Sequence, residues 1–141
     1  MHANDWPKGI KKTGQRIAIR RILAEAGRPV SAFEIEVQLK KLLLASEAKR
    51  VWKSTVYRTL DLFVAHGLVT RHTVNSGDTA LYEPTPKTHR HYAVCTVCRC
   101  MIALPACPVH DLDDVPLPAG FTPTGHHIEI SGICESCNKK P

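Results

Sequence analysis

The chain has 141 residues, of which 43% are apolar, 23% charged and 6% aromatic, and its net charge is +6. This is the composition of an ordinary globular protein, and no apolar run approaches the ~18–20 residues that a membrane-spanning helix needs. The first thirty residues lack the apolar core of a signal peptide, so we expect a cytoplasmic protein with no membrane segment. At ~100–150 residues per domain, the length suits one domain or two small ones.

Charge and thiols divide the chain into two unlike halves. Residues 1–70 carry 13 Lys and Arg against 6 Asp and Glu, whereas residues 71–141 carry 6 against 7. All six cysteines lie between Cys95 and Cys137, and five of the eight histidines lie between His89 and His127. A basic half without thiols is typical of a polyanion-binding region, and clustered thiols in a reducing compartment favour metal or redox chemistry over structural disulfides.

The basic half predicts three short helices. Thr13 is a candidate N-cap of the first helix, which Gly27 would end, and Ser31 with Glu34 forms a capping-box pattern that opens the second. The third helix would begin at Ser54 and stop at Gly67. The apolar faces at helical spacing are Ile19, Ile22, Leu23 and Ala26 in the first helix, Ile35, Leu39, Leu42 and Leu43 in the second, and Val56, Leu60, Phe63 and Val64 in the third.

A hairpin follows the three helices. Residues 68–74 and 79–82 alternate like strands, and the stretch 75–78 between them has the residues of a turn. Three helices and a hairpin form a winged helix-turn-helix, in which the third helix lies in the DNA major groove. The side chains of the third helix that lie off its apolar stripe would then contact DNA; these are Ser54, Thr55, Tyr57 and Arg58. Lys12, from the basic segment before the first helix, would add a further contact. A helical bundle with a solvated polar face is the alternative.

Two pairs of cysteines predict a zinc site in the second half. Cys95-x-x-Cys98 and Cys134-x-x-Cys137 are separated by 35 residues, and each pair supplies two thiolates from one tight turn. Four thiolates close the coordination shell of zinc and leave no position for a water nucleophile. We therefore expect one structural zinc ion per protomer, which would also stabilise a segment too short to build a large core.

The remaining histidines and cysteines leave several interpretations open. Five histidines around a zinc site favour a second metal site, although surface or core histidines are the alternative. We predict that His89 and His91 share one face of an extended segment, and that a strand over 126–130 opens with His126 and His127 on opposite faces. Three roles are open for Cys100 and Cys107: each is a buried apolar residue, an additional metal ligand or a redox-active thiol.

Several short motifs occur together along the chain: Ser31-Ala-x-Glu-Ile35, Ser54-Thr-Val-Tyr-Arg-Thr-Leu60, Gly67-Leu-Val69, the two cysteine pairs, and Gly132 before Cys134. From Lys11 to Asn138 this combination resembles the ferric uptake regulator (Fur) family of metal-dependent bacterial repressors. The resemblance implies an α+β protein, with a winged-helix DNA-binding domain over residues 1–84 and a small α/β dimerisation domain over residues 85–141. It also implies a homodimer that binds double-stranded, palindromic, AT-rich operator DNA when its regulatory metal is bound.

The resemblance further assigns roles to individual residues. The four cysteines of the two pairs match the structural zinc ligands of the family, Tyr57 and Arg58 match its recognition-helix contacts, and Arg16 matches a basic contact from the first helix. One of its other metal sites corresponds to His89, His91, His110 and His126, where many relatives have carboxylates at two positions. An all-imidazole set suits zinc, and iron is the alternative metal.

The family site that connects the two domains is largely missing from this sequence. Its carboxylate matches Glu83, but Arg90 and Tyr92 stand where relatives have histidines, and Ala103 stands where they have a second carboxylate. Three residues are available as substitute ligands: Cys100, Cys107 and His127. Either these replace the missing groups, or the alignment slips by a residue, or the site is absent.

The pattern rich in histidine and cysteine is most similar to the zinc uptake regulator (Zur) branch. We therefore expect a zinc-responsive DNA-binding repressor of metal-uptake genes; an iron-responsive or peroxide- and thiol-responsive member of the family is the alternative. No HExxH motif or deaminase motif is present, so an enzyme is not expected, nor is a small-molecule substrate.

Overall fold

The computed structural model describes residues 6–44, 53–74, 79–109 and 115–139. The chain divides into two compact units, residues 1–86 and residues 87–141. Among the described residues, no helix has the length and apolarity needed to cross a membrane.

The first unit is a winged helix-turn-helix. Its elements are α1 (Gly14–Glu25), β1 (Val30–Ser31), α2 (Ala32–Leu44), α3 (Lys53–Ala65), β2 (Val69–Thr73) and β3 (Ala80–Pro84). The strands pair antiparallel in the order β1-β3-β2. The expected turn at 75–78 lies outside the described residues. One apolar core joins the helices to the sheet; its buried members are Ile10, Ile19, Ile22, Leu23, Val30, Ala32, Ile35, Leu39, Val56, Leu60, Phe63, Val69 and Tyr82.

The helix ends have the residues that the sequence predicted. The hydroxyl of Thr13 accepts from the N–H of Arg16 at 3.4 Å, which satisfies one backbone donor of α1. Gly27 and Gly67 follow α1 and α3 with φ of +66°, a left-handed conformation that glycine adopts without a steric penalty. After α3, the N–H of Leu68 donates to the carbonyl of Phe63 at 2.9 Å, so the chain turns directly into β2.

The capping box of α2 is formed by Ser31 and Glu34. The N–H of Ser31 donates to Oε2 of Glu34 at 2.8 Å, and the N–H of Glu34 donates to Oγ of Ser31 at 3.2 Å. Arg28 also contacts the Glu34 carboxylate at 2.6 Å. Burial acts to raise the pKa of Glu34, but the hydrogen bonds from Ser31 and Arg28 outweigh it and lower that pKa. The charged carboxylate is therefore the form that caps α2.

Two details of the first unit differ from the sequence expectation. Ile35 and Leu39 are fully buried on α2, but Leu42 is 37% exposed. The apolar stripe of the helix therefore continues further along the chain than the core beneath it. Strand β1 was not predicted, because two residues are too short to show an alternating pattern; it pairs Val30 with Tyr82 of β3.

The second unit is built on a mixed three-stranded sheet. Its elements are β4 (Tyr92–Cys95), β5 (Met101–Ala103), β6 (Glu129–Gly132) and α4 (Glu135–Asn138). The strand order is β5-β4-β6, with β5 antiparallel and β6 parallel to β4. The prediction that a strand opens at His126 is wrong. The strand opens three residues later because the N–H of Ile128 donates to Nδ1 of His91 rather than to a neighbouring strand.

Candidate metal centres

The ends of β4 and β6 bring the two cysteine pairs together. Cys95 and Gly132 are paired in the parallel register, and the N–H of Cys134 donates to Sγ of Cys95 at 3.3 Å. The sulfurs of Cys98 and Cys134 lie 3.7 Å apart. Zinc–sulfur bonds of ~2.3 Å in a tetrahedron separate the sulfurs by ~3.8 Å, so this spacing fits zinc.

Backbone N–H groups favour the thiolate form at the first cysteine pair. Those of Cys134 and Cys98 lower the pKa of Cys95 to about 6. The backbone N–H of Cys100 is the main cause that lowers the pKa of Cys98. Thiolates are the form that binds zinc, so these amides prepare the first pair as metal ligands.

A fifth thiol, that of Cys100, also enters this thiol centre. The sulfurs of Cys95, Cys98, Cys100 and Cys134 all lie within 4.8 Å of one another. Arg99 makes this possible, since its φ of +63° turns the chain back after Cys98, and the N–H of Cys95 donates to the carbonyl of Cys100. This group of sulfurs includes that of Cys100 and does not include that of Cys137, the fourth ligand that the cysteine pairs predicted.

A second cluster contains three imidazoles and the thiol of Cys107. The ligand atoms of His89, His91, Cys107 and His126 all lie within 4.8 Å of one another. The Nε2 atoms of His91 and His126 are 2.9 Å apart, and the sulfur of Cys107 lies 3.2 Å from the first and 3.1 Å from the second. We call these four residues the imidazole centre. Imidazole and thiolate together form a donor set that zinc takes.

The buried histidine of this centre is held in orientation and kept neutral. His91 is only 2% exposed, and the Ile128 N–H at 3.2 Å from its Nδ1 leaves Nε2 facing Cys107 and His126. Burial lowers the pKa of His91, and repulsion from His89, His126 and His127 lowers it further. The neutral form of His91 is therefore favoured; while Nδ1 accepts from Ile128, its one ring proton is on Nε2 and would have to leave for that nitrogen to bind a metal ion.

Of the other candidate ligands, Glu83 and His127 fall outside both centres. His110 lies outside the described residues, and His127 is exposed and belongs to neither cluster. Glu83 lies in the first unit, where its Oε1 is 2.8 Å from Nε2 of His72. The sequence left three roles open for Cys107, and the structure places its thiol in the imidazole centre. The signal available in the sequence was the pair of prolines that flank it, Pro105 and Pro108, which indicate a turn in its loop.

The residues expected to contact DNA lie on exposed parts of the first unit. On α3, Ser54, Tyr57 and Arg58 are exposed and Thr55 is half-buried, opposite the core residues of the same helix. Nε of Arg58 donates to the carbonyl of Ser54 at 3.2 Å, and Lys53 lies over the ring of Tyr57. Lys12 is exposed, and Arg16 donates to the carbonyl of Lys11.

Comparison with known proteins assigns the chain to a family. The sequence model of the ferric uptake regulator family matches residues 7–131, which is most of the chain. The chain belongs to the ferric uptake regulator family. Members of this family are transcriptional regulators, so the chain is a metal-responsive regulator and not an enzyme.

Individual relatives agree with this assignment. The chain is 33% identical over 131 residues to the ferric uptake regulation protein of Legionella pneumophila, covering 92% of each chain. It is 29% identical over 133 residues to the zinc uptake regulation protein of Mycobacterium tuberculosis, covering 92% of this chain and 95% of the relative. A solved structure of a zinc-bound manganese uptake regulator superposes on this chain with a TM-score of 0.74 at 26% identity. The match covers 89% of this chain and 92% of the regulator.

Proposed function

We propose that this Fur-family regulator is a cytoplasmic, zinc-responsive repressor that binds DNA as a homodimer and controls metal-uptake genes. The observation that carries the proposal is the presence of two different metal-binding clusters in the second unit. One is made of thiols alone, and the other contains three imidazoles. A structural ion and a regulatory ion need such different sites, because only the second must exchange with the surrounding metal pool.

The thiol centre fits the structural ion. We assign its zinc ligands to the two cysteine pairs, Cys95 with Cys98 and Cys134 with Cys137, which come from segments far apart in the sequence. Cys100, whose sulfur lies within 4.8 Å of those of Cys95, Cys98 and Cys134, is the competing fourth ligand. A closed four-thiolate shell holds zinc through the folded state, so losing the ion means unfolding the unit.

The imidazole centre fits the regulatory ion. His89 is exposed, and a cavity of about 460 Å³ lined by residues 88–91 and 103–107 lies beside the cluster. This access allows metal to enter and leave without opening the sheet. Neutral imidazoles suit zinc well. A curated relative of nearly the same length is a zinc uptake regulation protein, which supports the same choice of metal.

The exposed face of α3 fits a DNA major groove. Arg58 suits the acceptors of guanine, Tyr57 suits thymine methyl groups, and the hydroxyls of Ser54 and Thr55 at the start of the helix suit a phosphate. Lys12 and Arg16 add positive charge from the segment before α1 and from α1 itself. This combination supports binding to a palindromic, AT-rich operator, with one half-site for each protomer.

One face of the second sheet fits a partner subunit. Ala93 lies opposite both Ile102 and Ile130 in the strand registers, so the three side chains share a face. Ile102 is 50% exposed and Ile130 48%, whereas Val94 and Met101 on the opposite face are buried. Regulators of this family are DNA-binding dimers. We assign the exposed face of Ala93, Ile102 and Ile130, here called the isoleucine face, to the homodimer contact.

The experiment is a DNA titration at buffered free zinc. A labelled duplex, selected at saturating zinc from a randomised library, is titrated with wild-type protein and with the His89→Ala, His126→Ala double variant. His127→Ala is the matched control, because it removes an adjacent imidazole that lies outside the centre. We expect wild type and the control to bind the duplex only when zinc is added. Added zinc should no longer promote DNA binding by the double variant.

Two results would overturn the proposal. One is operator affinity in the double variant that matches wild type at every zinc concentration. The other is a zinc content that stays at one ion per protomer before and after dialysis against a mild chelator, since a sensor needs a second, exchangeable ion. Circular dichroism of the double variant separates loss of the site from loss of the fold.

A further inference from the structure

Cys107 occupies a position in the imidazole centre that the sequence motifs assigned to a different residue. The family resemblance places the fourth ligand at His110, three residues further along. In the structure, the sulfur of Cys107 lies 3.1–3.2 Å from the Nε2 atoms of His126 and His91. We propose that Cys107 supplies the fourth, anionic ligand of this centre, and that its thiolate makes the site prefer zinc to manganese.

The chain path after β5 delivers Cys107 to the site. Ala103 ends β5 opposite Tyr92, and the N–H of Leu104 donates to the carbonyl of His91 at 2.8 Å. The chain therefore leaves the sheet beside His91. Between Pro105 and Pro108 it turns, and the thiol of Cys107 donates to the carbonyl of Val109 at 2.8 Å. In the metal-free protein this internal bond holds the protonated sulfur in place from its own loop, and metal binding would release that proton to solvent.

The spacing of the ligand atoms is close to that of a zinc tetrahedron. With Zn–N bonds of ~2.05 Å and a Zn–S bond of ~2.3 Å, neighbouring ligand atoms lie ~3.3–3.6 Å apart. The three distances among His91, Cys107 and His126 are 2.9, 3.1 and 3.2 Å. A metal ion would need to widen this triangle by only a few tenths of an ångström. Cys107 is thus placed as a ligand before any metal binds.

A thiolate changes which metal the centre prefers. Soft sulfur ligands favour zinc, whereas manganese prefers carboxylate, carbonyl and water ligands in an octahedral arrangement. One thiolate also brings a negative charge that three neutral imidazoles lack. The inference rests on the proposed function for its regulatory meaning, but the coordination itself is measured without DNA.

The test is cobalt substitution in protein whose thiol centre is already filled with zinc. Cobalt(II) bound by a thiolate absorbs in the near ultraviolet through sulfur-to-metal charge transfer, which imidazole ligands alone do not produce. We compare wild type, Cys107→Ser and the control Cys100→Ser, which removes a thiol outside the imidazole centre. The His89→Ala, His126→Ala variant reports any cobalt that enters the thiol centre.

We expect wild type and Cys100→Ser to show the charge-transfer band and Cys107→Ser to lose it while keeping its structural zinc. Zinc affinity of Cys107→Ser at this site should fall by about tenfold or more, and manganese affinity should change far less. A band of full intensity in Cys107→Ser would overturn the inference, as would an equal loss of affinity for both metals.

These outcomes are independent of the test of the proposed function. If Cys107→Ser loses the band while the histidine variants leave zinc-dependent DNA binding unchanged, the thiolate ligand stands and the regulatory role fails. If the histidine variants abolish zinc-dependent DNA binding while Cys107→Ser keeps the band, the regulatory role stands and the thiolate ligand fails.

Discussion

Nε2 of His72 lies 2.8 Å from Oε1 of Glu83 across the neighbouring strands β2 and β3, and the two side chains are only 15% and 4% exposed. Glu83 is the carboxylate that the family resemblance connected with a metal site between the domains. Here it is engaged by a histidine of its own unit. Glu83 therefore contributes to the stability of the winged-helix sheet.

Replacing Glu83 with Ala should lower the free energy of unfolding of the first unit by about 1–3 kcal/mol, because it leaves the imidazole of His72 buried without this acceptor. Urea unfolding followed by tryptophan fluorescence measures this, since the two tryptophans of the sequence are at positions 6 and 52 and Trp6 packs edge-on against Phe63 of the first unit. The control is Glu25→Ala on α1, whose side chain is 66% exposed. Equal effects of the two substitutions would contradict the role of the pair.

Serine substitutions should distinguish Cys137 from Cys100 in the thiol centre. The paired-cysteine motif favours Cys137 as the fourth ligand, whereas the four sulfurs that lie within 4.8 Å of one another include that of Cys100 instead. We expect the motif cysteine to be the ligand. Cys137→Ser should lose the chelator-resistant zinc and unfold the second unit, while Cys100→Ser should keep one zinc ion. Elemental analysis after dialysis gives the counts. Retention of zinc by Cys137→Ser together with its loss from Cys100→Ser would reverse the assignment.

The stability of the first unit should depend on pH through Glu34, the carboxylate that caps α2. Hydrogen bonds in the folded state lower the pKa of Glu34 below 4.5, so the unfolded chain takes up a proton first as the pH falls. The stabilisation is therefore present above pH ~4.5 and is lost as the pH falls through the folded-state pKa.

Glu34→Ala should accordingly cost about 1 kcal/mol of unfolding free energy at pH 7, and this difference from wild type should shrink on acidification. Paired urea titrations of wild type and variant, with tryptophan fluorescence as the signal, measure it. A difference that stays constant from pH 7 to pH 3 would show that the charge of Glu34 does not contribute.

Arg58 and Lys12 should affect DNA binding in different ways. Arg58→Ala should weaken binding to the selected operator by about 1–3 kcal/mol and reduce discrimination against altered base pairs, since we place Arg58 at base edges. Lys12→Ala should weaken binding to all duplexes alike and lower the salt slope by about one. Lys40→Ala on α2 is the control, because its side chain pairs with Glu36. Fluorescence anisotropy at several salt concentrations measures all three variants.

The isoleucine face should control the oligomeric state. Replacing Ile102 and Ile130 with Asp places two charges on the proposed dimer contact, and burying unpaired charge is strongly unfavourable. We expect this variant to sediment as a monomer in analytical ultracentrifugation while keeping its structural zinc. Phe33→Asp, which changes a 68% exposed side chain on α2, should leave the dimer intact. A dimeric double variant would move the contact to another surface.

Local sequence determined much of this fold. Helix caps act over three or four residues, so Thr13, Ser31 with Glu34, and Gly67 could be placed without tertiary information. The two cysteine pairs predicted a metal site for the same reason, because each pair forms within one turn. The apolar stripes identified the core residues Ile19, Ile35, Leu60 and Phe63 but not the point at which Leu42 leaves the core.

Tertiary structure alone decided which thiols and imidazoles meet. Cys107 and His126 are nineteen residues apart, and their contact depends on where β5 ends and on how the chain reaches β6. Cys100 enters the thiol centre because Arg99 adopts a left-handed conformation, which no pattern in the sequence predicted. Long-range contacts of this kind depend on the path of the whole unit, whereas caps and turns depend on their immediate neighbours.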